Sequence, residues 1–214
     1  MARAYSVNEI ISTRYELITW GAEWESAFGR PEASGLWFVW GNSGNAKTRF
    51  LIELAKELSK YYSVFYNSLE EGKRQTMKNM LLSAGVDTGN RRLLIGQEPL
   101  NELDERLRKR RAPHVAIIDS VQYANTRFDM LLKLLHEHPS RLFIISSHAD
   151  GKKPEGRTAN RLLYHADLKI QVEGYKATSN GRYNPGGQYT IWQQGAANYW
   201  GTDITKTQND AHEN

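Results

Sequence analysis

The stretch Gly41-Asn-Ser-Gly-Asn-Ala-Lys-Thr48 has the residue types and spacing that grip phosphate. It matches G-x-x-x-x-G-K-[ST] with Ala46 in place of the second glycine. Backbone N–H groups of such a loop curl into a nest that holds an anion. A helix starting near Lys47 aims its unpaired amides and positive dipole end at the same spot. Lys47 adds a mobile charge for the outer phosphates, and the Thr48 hydroxyl suits Mg²⁺. Gly41, Asn42, Ser43, Gly44, Asn45, Ala46, Lys47 and Thr48 are therefore the expected nucleotide-binding residues, with ATP and Mg²⁺ as expected ligands. The Ala46 methyl must fit where backbone and phosphate approach closely.

Three other stretches end in groups that complete this chemistry. Asp119 closes an apolar run and would hold Mg²⁺ directly or through a water, as the second metal-binding position beside Thr48. Glu70 and Glu71 follow another apolar run, where a carboxylate can orient and deprotonate a water in line with a terminal phosphate. Residue type alone leaves these two as rivals. His148 closes a third run and can hydrogen-bond the terminal phosphate and sense its loss. The plain alternatives are a strand-to-helix turn that contains glycine and lysine, a capping aspartate, and polar residues solvated at strand ends.

Positioning these groups takes strands that end together. Leu36–Trp40 reads as a strand into the loop, and residues 47–60 as a helix with the stripe Leu51, Leu54, Ala55, Leu58. Ser63–Asn67 is a second strand. A helix bearing Met77, Met80, Leu81 and Ala84 stops at Gly85, and Arg92–Ile95 is a short strand. Leu100–Arg111 is a charged helix. Its acid-before-base pairs Glu102/Arg106, Asp104/Arg108 and Glu105/Lys109 account for most of the basic run 106–111. His114–Ser120 and Arg141–His148 are continuous apolar runs, as strands buried on both faces read. Between them Thr126–Asp129 resembles a capping box before a helix striped with Phe128, Leu131, Leu132 and Leu135. His136 and His138 read as surface groups at that helix's end.

Asp150–Asn160 is a polar loop, and 160–166 one or two helical turns. Leu168, Ile170 and Val172 alternate as a half-exposed strand does. Tyr175–Tyr183 and Gln188–Gln193 read as an antiparallel addition turning at 184–187. Near the N-terminus, Val7–Tyr15 is a short helix, and Trp20, Trp24 and Phe28 recur at helical spacing for packing on the core. The alternation predicts one α/β domain, a mostly parallel twisted sheet flanked by helices with a C-terminal antiparallel hairpin. Gly41–Thr48, Glu70/Glu71, Asp119/Ser120 and His148 then share the edge where the strands end. The expected organisation is a lead-in segment at 1–35, the ATPase domain at 36–201 and a disordered tail at 202–214.

Composition excludes several classes. With no cysteine among 214 residues, disulfides, thiol catalysis and cysteine metal sites are out. No stretch approaches the roughly 18 apolar residues of a membrane span, and the N-terminus lacks a signal peptide's apolar core. A cytoplasmic protein without a membrane partner is expected. The net charge of +4 permits a nucleic-acid partner without requiring one.

The sequence resembles the RecA-like branch of P-loop ATPases, and within it DnaB-type replicative helicases and RadA-type recombination ATPases. The resemblance spans about residues 35–195. Ser68-Leu-Glu70 after an apolar strand is similar to the stretch where those families keep a catalytic glutamate, which favours Glu70 over Glu71. Val115-Ala-Ile-Ile-Asp-Ser-Val-Gln122 is similar to their Walker-B strand, with Asp119 as its aspartate. Ser147-His-Ala-Asp-Gly-Lys152 resembles the strand tip where RadA-type proteins carry a histidine, so His148 takes the sensing role. Asn180-Gly-Arg-Tyr-Asn-Pro-Gly-Gly187 resembles a late basic motif whose arginine reaches a neighbour's nucleotide, which makes Arg182 the candidate finger in trans. The resemblance implies a Mg²⁺-dependent ATPase acting on DNA, single-stranded in preference, as a ring or filament of identical subunits. Loops 124–127 and 150–160, with Arg127, Lys152, Lys153 and Arg157, would face the DNA. The alternatives are a small-molecule kinase, which shares the phosphate loop but transfers to a bound hydroxyl, and a non-hydrolysing DNA-binding or adaptor module.

Overall fold

The computed structural model describes residues 3–201. The tail expected at 202–214 lies outside them.

Helices α1 (Val7–Ser12) and α2 (Ala22–Phe28) precede strand β1 (Gly35–Gly41) and helix α3 (Lys47–Leu58). Then come β2 (Val64–Ser68), α4 (Gln75–Ser83), β3 (Leu93–Gly96), α5 (Leu100–Leu107), β4 (Val115–Asp119), α6 (Phe128–Glu137) and β5 (Leu142–Asp150). The chain continues through β6 (Lys153–Pro154), α7 (Arg157–His165), β7 (Leu168–Glu173), β8 (Lys176–Ser179), β9 (Gln188–Thr190) and α8 (Gln193–Trp200). The sheet order is β3-β2-β4-β5-β1-β7-β8-β9, with the short β6 paired to β5. Strands β3 to β7 along this order run parallel, and β8 and β9 add antiparallel. This is the α/β architecture expected from the alternation of strand and helix.

Strand residues alternate between two apolar layers. Trp37 and Val39 of β1, with Ile117 of β4 and Ile144 of β5, meet Phe50, Leu51, Leu54 and Leu58 of α3 on one face. Leu36, Phe38, Ile118, Phe143 and Ile145 meet Leu103, Phe128, Leu131, Ala159 and Leu162 on the other. Both faces of β1, β4 and β5 are covered, which is why residues 36–40, 115–118 and 142–145 are continuously apolar. Trp20, Trp24 and Phe28 pack as expected: Trp24 stacks on Tyr189 at 4.3 Å and on Phe50 at 6.0 Å. The α1 helix forms with a capping box between Ser6 and Glu9 but buries none of its residues.

Several local expectations change. The start of α6 uses Arg127 as its cap without a side-chain hydrogen bond, so the capping box at 126–129 does not form. Of the three pairs on α5, only Asp104/Arg108 closes, at 3.0 Å. Arg106 turns instead to Glu98, before the helix, and lies 4.3 Å over the Phe65 ring. His138 is buried rather than superficial. Its ring bonds Asp104 Oδ1 at 2.7 Å, so the end of α6 is pinned to α5. Burial alone would raise the Asp104 carboxyl, but hydrogen bonds from His138 and Arg108 outweigh it and hold the carboxyl below its usual range. Residues 193–200 form helix α8, which the sequence reading did not anticipate.

Candidate functional site

Parallel pairing brings the expected groups to one edge. Gly41 is level with His148 across β1 and β5, and Ser68 is level with Asp119 across β2 and β4. The edge therefore reads, in lateral order, phosphate loop, His148, Asp119, then the Glu70–Glu71 turn that follows β2.

The loop between β1 and α3 is held by its ends and open in its middle. A Cβ on Gly41 would lie 2.2 Å from the Val172 carbonyl oxygen, so glycine is needed where β1 passes β7. Gly44 has φ +80° with open space around it. Ala46 takes a left-handed conformation (φ 69°, ψ 26°) that L-residues adopt at a cost. Asn45 Oδ1 accepts from the Gly174 amide at 2.7 Å, and Asn42 Nδ2 donates to the Gly151 carbonyl at 3.2 Å. The first internal bond of α3 is Phe50 N–H to Ala46 O, at 2.9 Å. The amides of Gly44, Ala46, Lys47 and Thr48 have no acceptor among the described residues. Lys47 is 8% exposed, and no carboxylate among the described residues pairs with it. A lysine with open amides beside it fits an anion.

Asp119 is buried, and two hydroxyls hold its carboxylate. Tyr66 donates to Oδ2 at 2.6 Å, and Ser146 donates to Oδ1. Burial, followed by the adjacent Asp119 charge, pushes the Tyr66 hydroxyl well above the ordinary tyrosine range, so it stays a donor. Neither Tyr66 nor Ser146 was found from the sequence. The signal was a polar residue inside each buried strand, Tyr66 in β2 and Ser146 in β5.

Glu70 lies 3.6 Å from His148 Nε2, the two reaching towards each other past the end of β4. Tyr123, also missed from the sequence, completes the group: the Glu70 charge, foremost, raises its hydroxyl. Gln122 ties the turn after β4 to the tip of β5. Its amide donates to Ser147 Oγ at 2.9 Å and to the Glu155 carbonyl at 3.1 Å, and its oxygen accepts from the His148 amide at 3.3 Å.

Five buried side-chain polar atoms lack a hydrogen-bond partner among the described residues, and three of them lie at this edge: Glu71 Oε2, Ser120 Oγ and His148 Nε2, the last with Glu70 just beyond hydrogen-bond reach. Buried polar atoms are otherwise nearly always satisfied, so the cluster marks a place built for a ligand or water. The donors suit Mg²⁺. It binds through a few oxygens and keeps most of its waters, and Thr48 and Asp119 supply a hydroxyl and a held carboxylate. No group of three or more His, Asp or Glu gathers as a metal cage among the described residues.

Arg182 is not brought to this edge. Strand β7 ends beside the loop, β8 returns from it, and the exposed turn carrying Arg182 follows β8 at the opposite edge. There the Asn180 amide bonds the Lys169 carbonyl at 2.7 Å. Arg182 therefore cannot serve its own phosphate loop. The segment expected to face DNA is a clamped hairpin rather than a free loop: Ala149 and Asp150 pair with Pro154 and Lys153, and Trp40 Nε1 donates to the Lys152 carbonyl at 3.1 Å. Lys152, Lys153, Arg127 and Arg157 are exposed. Among the described residues no helix is long and apolar enough to cross a membrane.

Strand order, phosphate loop and strand-end acid together define a RecA-like fold of the kind P-loop ATPases use. No protein-family profile matches the sequence, and no curated protein is significantly similar to it. Solved structures share the fold. A KaiC-like protein of the hyperthermophilic archaeon Pyrococcus horikoshii is similar at 19% identity and TM-score 0.59, over 74% of this chain and 81% of that one. The flagellar accessory protein FlaH of Methanocaldococcus jannaschii is similar at 17% identity and TM-score 0.55, over 82% and 93%. An ATP synthase subunit of Nanoarchaeum equitans is similar at 8% identity and TM-score 0.54, over 74% of this chain and 50% of that one.

Proposed function

We propose that this chain binds ATP with Mg²⁺ and hydrolyses it at the C-terminal edge of its sheet. The observation that carries the reading is Lys47, a buried lysine without a carboxylate partner among the described residues, at the head of a helix whose first amides are open. A cation held among open amides is placed to meet the outer phosphates of a nucleotide.

The chemistry follows from what surrounds it. A water oxygen attacks the terminal phosphorus as the bond from that phosphorus to the bridging oxygen breaks, giving ADP and inorganic phosphate. Glu70 takes the proton of that water. Thr48 and Asp119 would hold Mg²⁺, which when bound neutralises charge on the outer phosphates. Tyr66 and Ser146 fix the Asp119 carboxylate for that task. His148 donates to the terminal phosphate and, standing beside Glu70, changes partners when the phosphate leaves.

The finer reading follows the resemblance to DnaB-type and RadA-type ATPases. The chain acts on DNA, single-stranded in preference, through Arg127, Lys152, Lys153 and Arg157. It works as a head-to-tail ring or filament in which Arg182 reaches a neighbour's nucleotide. Because Arg182 sits opposite the phosphate loop, such an assembly sets the strand-start edge of one subunit towards the strand-end edge of the next, a heterologous contact. The domain at 36–201 is the working unit in this reading.

The test is ATP turnover with and without single- and double-stranded DNA, with mass measured by light scattering. Turnover that requires Mg²⁺, rises with DNA and disappears in Lys47→Ala supports the whole reading. Equal turnover in Lys47→Ala sinks the nucleotide site. Turnover indifferent to DNA, from a protein that stays monomeric, leaves an ATPase and removes the DNA and assembly proposals.

A further inference from the structure

The groups assigned to the terminal phosphate all stand to one side of the loop. In the sheet, β5, β4 and β2 follow β1 on that side, carrying His148, Asp119 and Glu70. On the other side come β7 and β8, joined by the tight turn at Gly174-Tyr175. A triphosphate whose outer end lies among the first groups leaves its nucleoside end free to extend over the second.

That side carries a built aromatic surface. Trp200 Nε1 donates to the Gly174 carbonyl at 3.1 Å, and the Gly174 amide donates to Asn45 of the phosphate loop at 2.7 Å. Two hydrogen bonds and one residue thus join the indole to the loop. Tyr199 packs beside it, ring centroids 5.1 Å apart and 65° inclined, with its hydroxyl 3.3 Å from Glu173. The rings lie directly on the turn: a Cβ on Gly174 would fall 2.3 Å from the Tyr199 ring and 2.7 Å from Trp200 Nε1. Yet Tyr199 remains 52% exposed and Trp200 48% exposed. Large aromatic rings held in place but half uncovered suit a flat π-system from outside the chain. The Lys176 ammonium, 5.8 Å from the Trp200 ring centroid, brings positive charge to the same turn.

We infer that Trp200, flanked by Tyr199, is the surface on which the nucleotide's base stacks, and that the Gly174 turn couples it to the phosphate loop. The inference rests on the nucleotide-site reading above. The ligand class is a nucleoside triphosphate recognised at both ends: phosphates by the loop and the flat base by the indole. Stacking has little base specificity, because every base has a π-face. ATP and GTP should therefore bind with similar affinity.

The experiment compares ATP with inorganic tripolyphosphate, which offers the loop a phosphate chain and has no base. Dissociation constants are measured by calorimetry for the full chain and for Trp200→Ala, Trp200→Phe and Lys47→Ala, with circular dichroism to check folding. Trp200→Ala should weaken ATP binding by about tenfold or more while tripolyphosphate changes less than about twofold. Trp200→Phe, which keeps a stacking ring but loses the bond to Gly174, should retain most of the affinity. Unchanged ATP affinity in Trp200→Ala overturns the inference. So does an equal loss for both ligands, which would make the indole a support for the loop, or a wild-type protein that binds the two ligands equally. If Lys47→Ala leaves both affinities intact, the nucleotide-site reading itself fails, and the inference fails with it.

Discussion

Replacing Ala46 by glycine puts the phosphate loop's conformation to a quantitative test. The residue sits at φ 69° and ψ 26°, where a Cβ costs about 1–2 kcal/mol and glycine costs nothing comparable. Against that relief stands the larger conformational freedom glycine loses on folding, about 0.4–1 kcal/mol. A second loss is the methyl itself, partly buried against the α3 layer. Half of the roughly 0.8 kcal/mol of a buried methylene, about 0.4 kcal/mol, is a fair measure. The net runs from slightly unfavourable to about 1 kcal/mol of gain, centred near +0.4 kcal/mol. At about 2–4 °C per kcal/mol for a chain of this size, Tm should rise by roughly 1–2 °C. The reciprocal change, Gly44→Ala, meets φ +80° with nothing nearby to pack against. The strain of about 1–2 kcal/mol, less the about 0.4–1 kcal/mol gained from alanine's smaller unfolded-state entropy, should leave a cost near 0.8 kcal/mol and lower Tm by roughly 2–3 °C. ATP affinity in Ala46→Gly should be equal or better, because a methyl leaves a tight phosphate turn. Thermal unfolding and nucleotide titration of the two variants decide the matter. A fall in Tm beyond about 3 °C for Ala46→Gly, or a fivefold loss of ATP affinity, would show that the loop is shaped around the methyl and refute the reasoning.

Glu70→Gln should keep ATP binding and lose turnover by on the order of a hundredfold or more, with Glu71→Gln mild. A reversed pair would hand the base role to Glu71, whose Oε2 is buried and unpartnered. Tyr66→Phe removes one of the two hydroxyls on Asp119 and should lower unfolding free energy by about 1–3 kcal/mol, measured by urea titration. It should also alter the Mg²⁺ dependence of turnover, and no change in either property would remove the holding role given to Tyr66. Arg182→Ala should lose hydrolysis but keep ATP binding. An excess of Lys47→Ala subunits should then restore activity in a manner dependent on protein concentration, and normal turnover of the lone variant argues against a finger in trans. Asp104→Ala should cost about 1–3 kcal/mol by leaving buried His138 unpaired. Because the native Asp104 carboxyl titrates below its ordinary value of 3.8, its contribution is fully present above that value and fades as pH falls below it. A stability difference that grew on acidification would contradict that sign.

The positions of Gly41–Thr48, Asp119 and His148 were legible because each follows an apolar run, and parallel strands deliver such ends to a common edge. The groups that hold them were not. Tyr66 and Ser146 lie within buried strands, and only the pairing of β2, β4 and β5 reveals that both point at Asp119. The Arg106–Glu98 pair defeated helix-spacing logic because Glu98 precedes α5, so no rule of fours can find it. Helix α8 was hidden by Gly195, Ala196 and Ala197, whose small side chains give no apolar stripe although all three are buried. The edge occupied by the Arg182 turn follows from the antiparallel return of β8, which a motif comparison cannot orient.

The close approach at Gly41 bears on how far such a motif can be taken at face value. Its missing side chain makes room for the Val172 carbonyl, a requirement of chain packing that holds whether or not nucleotide ever binds. A descendant that had abandoned nucleotide chemistry would still have to keep that residue to fold. Gly44 has open space around it, yet its φ of +80° strains any other residue, whereas Lys47 has no structural partner among the described residues and is free to drift once function lapses. Survival of the first glycine alone is a record of architecture, and survival of the lysine is the part of the signature that testifies to use.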